Sequence, residues 1–377
     1  MKRDYGTRYS DCNQNWNTEL GLRITSFSIE HISLPDEDPN WKFAGQAYPT
    51  NEACILVLTS ENGLQGYGYA AAFPHLAATP MGIEGALRRI CTGLVGHDAL
   101  SIEKALIHVE ASLVGNNPAK AAIDCALHDL KSKILGIPLY ELLGGKITDG
   151  IPICRMLGLK APAEMAERAQ RLVDQGFTHL KLKVGGNLRD DLERLSAVRK
   201  QVGDRIHLVA DPNQSYRAKD AIAFALHSTE FAVDIIEQPV RANDLFGLKQ
   251  VTEATSIAIE ADESAHSAQS TFHLAATQSV NAISLKVPKM GGLRAVQTAA
   301  RICEVAHLGC RMGANVGSQL LAAHALHLAL TLPNLTYASE LAEYQKLLND
   351  PFEGLVVKDG YLFPPDGPGV GVRRIGA

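Results

Sequence analysis

The sequence predicts an α/β chain: a closed ring of parallel strands alternating with helices, joined to a smaller α+β unit on its N-terminal side. Three observations predict it. After residue 145, eight short apolar runs alternate with longer amphipathic stretches. Before that point, strand-like alternation gives way to helical spacing without such a repeat. Five successive apolar runs also finish in a charged residue, the place where a barrel of this kind carries its chemistry. A chain of 377 residues has room for a barrel and a second unit.

Residues 1–21 are polar and without a sustained period, so they are expected to form an extension that folds only against a neighbour. Residues 24–33 and 53–59 then alternate in the manner of strands, and Gly63, Gly66 and Gly68 punctuate a turn and a further strand, which together read as a small antiparallel sheet. Helical spacing follows over 82–95, 101–114 and 118–135. The last places Ala122, Ile123, Ala126, Leu127 and Leu130 on one face and is stopped by Gly136-Ile137-Pro138. The eight apolar runs are 151–157, 178–184, 206–210, 232–236, 257–261, 281–285, 309–314 and 335–341, with helices expected at 162–175, 188–202, 218–227, 245–254, 293–306 and 318–330. Eight repeats favour a closed barrel over an open doubly wound sheet. No Gly-x-Gly-x-x-Gly follows a strand, and Val184-Gly185-Gly186 is too short to stand for a phosphate loop.

With 46 % hydrophobic and 20 % charged residues, the chain can bury a sizeable core. A net charge of −5 offers no general attraction to nucleic acid or an acidic membrane, which leaves a small molecule as the expected partner. The seven cysteines (Cys12, Cys54, Cys91, Cys125, Cys154, Cys303, Cys310) are odd in number and include no Cys-x-x-Cys pair, so reduced thiols are expected rather than a disulfide framework or a zinc site. No stretch reaches about 18 apolar residues, and a cytoplasmic protein is expected.

The charged strand ends are specific. They are Lys181 and Lys183 on the second run, Asp211 after the third, Glu237 after the fourth, Asp262 and Glu263 after the fifth, and Lys286 after the sixth. Any one of these alone would be an ordinary turn residue; the ordered set asks for more. Neighbouring strands allow Asp211, Glu237 and Asp262 to converge, and three hard oxygen ligands select Mg²⁺, with Mn²⁺ as the alternative, over zinc. Lys183 and Lys286 fall on opposite sides of that site. Lys181 points the same way as Lys183, and two such neighbours near a cation are expected to depress each other's pKa, freeing an amine to act as a base. Lys181 itself is expected to modulate that pKa or touch a carboxylate. The chemistry that needs these parts is removal of a proton α to a carboxylate through an enediolate, with two bases allowing inversion of the carbon. Asn213 and Glu263 read as supports or substrate contacts, with Glu263 facing away from Asp262. Glu340 reads equally as a substrate contact or as a partner for a site lysine. His324 and His327, one turn apart on an apolar helix, read as packed residues rather than a metal pair.

From about Leu22 onward the chain resembles the enolase superfamily and, within it, the muconate-lactonizing subgroup of the mandelate racemase/muconate lactonizing enzyme family. The residues that carry the resemblance are Lys181-Leu182-Lys183, Asp211-Pro212-Asn213-Gln214, Glu237-Gln238-Pro239, Asp262-Glu263-Ser264, Lys286 with Lys289-Met290-Gly291-Gly292, and the stretch 121–130 followed by Leu142-Leu143-Gly144-Gly145. The resemblance implies a modified (β/α) TIM-type barrel (146–345) under an α+β capping domain (22–145), to which 346–377 returns. It implies Mg²⁺ at the strand ends, a small carboxylate substrate and a homo-oligomer. Racemisation or epimerisation of an amino-acid derivative is the leading expectation. Dehydration or cycloisomerisation of a hydroxy or diene acid is the alternative, and a catalytically silent barrel used for binding is the reading from another class. The chain departs from the pattern at Tyr69, where many members have Glu, and at the seventh run's end, Gly313-Ala314-Asn315, which lacks the subgroup's acidic residue; Asn315 there is a weaker candidate for the site. At the eighth run's end, Ala338-Ser339-Glu340-Leu341 replaces the Asp-x-Asp pair by which dipeptide epimerases hold an ammonium. Residues 70–80 are expected to close over the substrate, with Phe73, Pro74 and His75 tuning selectivity.

Overall fold

A computed structural model describes residues 22–376 except 41, 44, 45, 74, 75, 77, 314 and 315. The expected extension 1–21 and the candidates Pro74, His75 and Asn315 lie outside the described residues. Strands β1 (Ile24–Pro35), β2 (Thr50–Ser60) and β3 (Gln65–Ala71) form an antiparallel sheet in that order. Helices α1 (Pro80–Thr92), α2 (Ile102–Ser112) and α3 (Asn117–Leu135) pack on one face. The alternating residues of β2 serve two cores: Cys54, Leu56 and Leu58 meet these helices, while Ala53, Ile55 and Val57 meet the barrel. What reads as a half-exposed alternating strand is therefore buried on both sides. α3 lies against β3 so closely that a Cβ on Gly68 would stand 1.9 Å from the Ala122 carbonyl oxygen, and one on Gly66 2.2 Å from that of Ala126.

The barrel strands are β4 (Cys154–Leu157), β5 (His179–Lys183), β6 (His207–Asp211), β7 (Val233–Glu237), β8 (Ala258–Ala261), β9 (Ala282–Leu285) and β10 (Gly309–Met312), parallel and paired in chain order. Between them run α4 (Pro162–Asp174), α5 (Leu188–Val202), α6 (Ala218–Ser228), α7 (Leu245–Ala254), α8 (Ala268–Thr277) and α9 (Leu293–Val305), and α10 (Gln319–Ala329) follows β10. The sequence reading lacks α8, a short helix rich in Gln, Ser and Thr that depends on a capping box between Ser267 and Ser270.

The eighth expected strand, 335–341, is a correction. It forms no ladder but bridges both edges at single points. Glu340 N–H donates to the Met312 carbonyl (2.8 Å) on one side, while Ser339 N–H donates to Pro152 O and Cys154 N–H to Ser339 O (both 2.9 Å) on the other. The ring closes through a segment whose backbone is divided between two neighbours. The first run also divides: Ile151–Pro152 pairs with Tyr361–Phe363 near the C-terminus, leaving β4 to the barrel. Buried Asp129 of α3 ties the C-terminal segment to β3, accepting from Val370 N–H (3.0 Å) and Tyr67 N–H (2.9 Å).

His324 and His327 are fully buried on α10. His327 accepts from Tyr140 N–H and its other ring nitrogen faces the Val370 carbonyl (both 3.1 Å), so it joins α10 to the C-terminal segment as a neutral ring.

Candidate active site

Five strands deliver the site because each ends where its backbone leaves the ladder. Lys181 and Lys183 come from β5, Asp211 from the end of β6 and Glu237 from the end of β7, while Asp262 and Lys286 directly follow β8 and β9. Since β5 and β9 flank β6, β7 and β8, the two lysines bracket three acids. Lys183 Nζ donates to Asp211 Oδ2 (2.6 Å) and to Asn213 Oδ1 (2.8 Å). On the other flank Lys286 Nζ donates to Asp262 Oδ2 at 2.6 Å and stands 4.0 Å from Glu237 Oε1. Gly313 makes room for it: a Cβ there would lie 2.5 Å from Lys286 Cε.

Lys181 lies deeper, with Asp211, Glu237 and Glu340 at 2.9, 2.6 and 2.8 Å. Burial opposes its charge, yet these carboxylates outweigh burial and hold its ammonium well above the usual lysine range. Lys286, also buried, is raised by Asp262 and Glu237. Of the pair Lys181 and Lys183 expected to depress each other, Lys181 is thus a correction, because the anions around it outnumber the neighbouring cations. Burial pushes the Glu237 carboxyl up to about 8, with Asp211 adding to it. Asp262 goes the other way, its burial overcome by Lys286, Lys289 and Lys181.

The three acids stand on adjacent strand ends, but among the described residues no three acid, His or Cys groups form a ready-made coordination shell. Asp211 and Asp262 each face two lysines. The donor set nevertheless suits a hard divalent cation, since Glu237 Oε1 is a buried carboxylate oxygen with no hydrogen-bond partner. Glu263 is displaced from its expected place: it lines the same cavity as Asp262, because the chain has left β8 and strand alternation no longer sorts the faces. Its Oε2 is likewise buried without a partner. Glu340 pairs with Lys181 and with Arg311.

Sequence reasoning missed Arg311, Glu260 and the role of Lys289. Lys289 donates to Asp262 Oδ1 (2.7 Å) and to the Ser284 carbonyl (3.0 Å). Arg311, on β10, was hidden within a run read as apolar. The cavity above these groups holds about 550 Å³, and its outer wall includes Tyr48, Phe73, Leu76, Val316 and Leu347. Tyr69 stays out of it, donating to Asn51 Oδ1 at 2.5 Å.

The pattern of the mandelate racemase/muconate lactonizing enzyme N-terminal domain matches residues 30–144, and that of the enolase C-terminal domain-like family matches 164–374. The chain belongs to this family of the enolase superfamily. It is an isomerase of that superfamily. A family member of Bacillus subtilis, L-Ala-D/L-Glu epimerase, is 32 % identical, covering 93 % of this chain and 97 % of that protein. The structure of a dipeptide epimerase from Enterococcus faecalis, complexed with Mg and the dipeptide L-Leu-L-Tyr, superposes with a TM-score of 0.89 at 30 % identity, over 93 % of this chain and 99 % of that one. Muconate lactonizing enzyme from Pseudomonas fluorescens, complexed with muconolactone, gives 0.90 at 30 % identity, over 94 % and 97 %. Family members of this likeness thus include both epimerases and a lactonizing enzyme. No helix among the described residues is long and apolar enough to cross a membrane.

Proposed function

We propose that the chain removes the proton α to the carboxylate of an amino-acid derivative and returns one to the opposite face, inverting that carbon. The observation that carries this reading is the placement of Lys183 and Lys286, each 2.6 Å from an acid on opposite flanks of the same acidic trio. A lysine on one face takes the proton; its counterpart on the other face supplies one. Mg²⁺ held by Asp211, Glu237 and Asp262 would supply positive charge beside the substrate carboxylate, where negative charge accumulates as the proton leaves. Lys289 and Asn213 orient the outer acid and the Lys183 amine from behind.

The cavity argues for the kind of derivative. Glu340 is engaged by Arg311 and Lys181, and Asp36 by Lys346 at 3.0 Å. Neither is offered to a free substrate ammonium, while Glu263, whose Oε2 has no hydrogen-bond partner, directly follows the proposed cation ligand Asp262. Tyr48 and Phe73, edge to face at 6.1 Å, instead wall the outer cavity. We assign a substrate with an apolar distal group and no free ammonium, such as an N-acyl amino acid. Incubation with Mg²⁺ in D₂O and a panel of such compounds together with hydroxy and diene acids, followed by proton NMR, tests it. Deuterium at the α-carbon with inversion is expected. Loss of water or ring closure would assign the lyase or cycloisomerase reading, and a panel without any exchange would leave a binding barrel.

A further inference from the structure

The barrel axis below the site holds an arginine that the proton transfer does not use. Arg311 is wholly buried, and its guanidinium meets acids from three elements at once. Nε donates to Glu260 Oε1 and Oε2 (2.9 and 2.8 Å), Nη2 pairs with Glu260 Oε2 (2.8 Å) and with Glu237 Oε2, and Nη1 pairs with Glu340 Oε1. Lys181 takes the same two oxygens, Glu237 Oε2 and Glu340 Oε1. One oxygen of Glu237 is thus held twice, and the other, Oε1, is left buried without a hydrogen-bond partner, with Lys286 Nζ 4.0 Å away.

We propose that Arg311 is a positioning residue: by clamping Glu237 Oε2 from beneath and pairing with Glu340 where that acid lines the cavity, it presents Glu237 Oε1 to the divalent cation and neutralises the eighth segment's acid. A planar fork suits this task, because a lysine at 311 would bring one ammonium to a place where three carboxylates need separate donors. A carboxylate held at one oxygen loses the freedom to rotate, so the cation meets its ligand already aimed. The alternative is that Arg311 only neutralises Glu260. The two roles separate in cation affinity.

This inference rests on the cation site of the proposed function, and the experiment keeps the two apart. Mn²⁺ serves as the probe, its binding to the purified chain read by electron paramagnetic resonance without substrate. Arg311→Lys tests the fork. The double variant Arg311→Met/Glu260→Gln removes the arginine together with the acid it would otherwise leave buried and uncompensated. In variants whose circular dichroism matches the wild type, the Mn²⁺ dissociation constant is expected to rise tenfold or more, with Arg311→Lys the milder of the two. A folded variant that binds Mn²⁺ as the wild type does overturns the proposal. Should the double variant fail to fold, Arg311→Lys decides by the same criterion. If the wild type binds no Mn²⁺, the cation site itself fails, whereas equal binding throughout removes only the role of Arg311.

Discussion

Lys183 and Lys286 touch different acids on different strands, so under the proposed two-base reaction deleting either amine removes one face of it rather than half its rate. Lys183→Ala and Lys286→Ala are each expected to abolish inversion, a loss of about 10²–10⁴-fold or more, while at least one still exchanges the α-hydrogen of a single stereoisomer in D₂O. Interconversion of both stereoisomers at the wild-type rate in both variants would refute the two-base assignment. Gly313 offers a gentler probe. A methyl group there meets the flexible Lys286 chain, 2.5 Å from its Cε, and the lysine gives way before the barrel does. Gly313→Ala is expected to lower kcat about tenfold with the melting temperature nearly unchanged, as steady-state kinetics and calorimetry would show. Of these residues, the lysines and the acidic trio were legible because each closes an apolar run. Arg311 was not, since a charge inside a run carries no such mark until three distant acids are seen around it.

Among the elements, α10 shows how a polar residue can be built into a buried helix. Its His327 accepts from Tyr140 N–H at one nitrogen, so a second proton would meet a donor. Burial, ahead of the Val370 carbonyl that works against it, lowers its pKa from 6.5 to about 4. As the pH falls below 6.5, the unfolded chain takes up this proton before the folded one, so the stability His327 contributes is complete above that value and drains away toward pH 4. The loss amounts to roughly 3 kcal/mol. Urea unfolding at pH 7 and pH 4.5 should show a smaller pH-dependent loss in His327→Asn than in the wild type; equal losses would contradict the assignment. At the interface of α3 with β3, Gly68→Ala forces a methyl group onto the Ala122 carbonyl and is expected to cost about 1–3 kcal/mol, read by the same titration. Periodicity revealed most helices and strands to within a few residues. It failed for α8, where capping outweighs pattern, and for 335–341, whose apolar run is divided between two partners rather than laid beside one.

At the scale of the molecule, a cation arriving between three acids would add to the stability of the whole fold. Mg²⁺ at about 100 times its dissociation constant is expected to stabilise the chain by about 2.7 kcal/mol, and EDTA to reverse this, with scanning calorimetry as the measure. A melting temperature indifferent to Mg²⁺ and EDTA would count against the cation site. The two-part architecture was visible in the change of texture after Gly145, but its seam was not. No pattern in β2 says that its second face belongs to the barrel, or that Asp129 waits for a residue more than two hundred positions away.

That last bond bears on how the polypeptide is made. Asp129 emerges from the ribosome long before Val370, and Ile151 before its partner Leu362, so the nascent chain holds two open joints until those partners are translated. Folding of the cap and barrel cannot be completed before this segment; residues 361–370 act as a closing stitch, and a chain cut just before them would keep the strand-end lysines and acids but leave its seams unsewn.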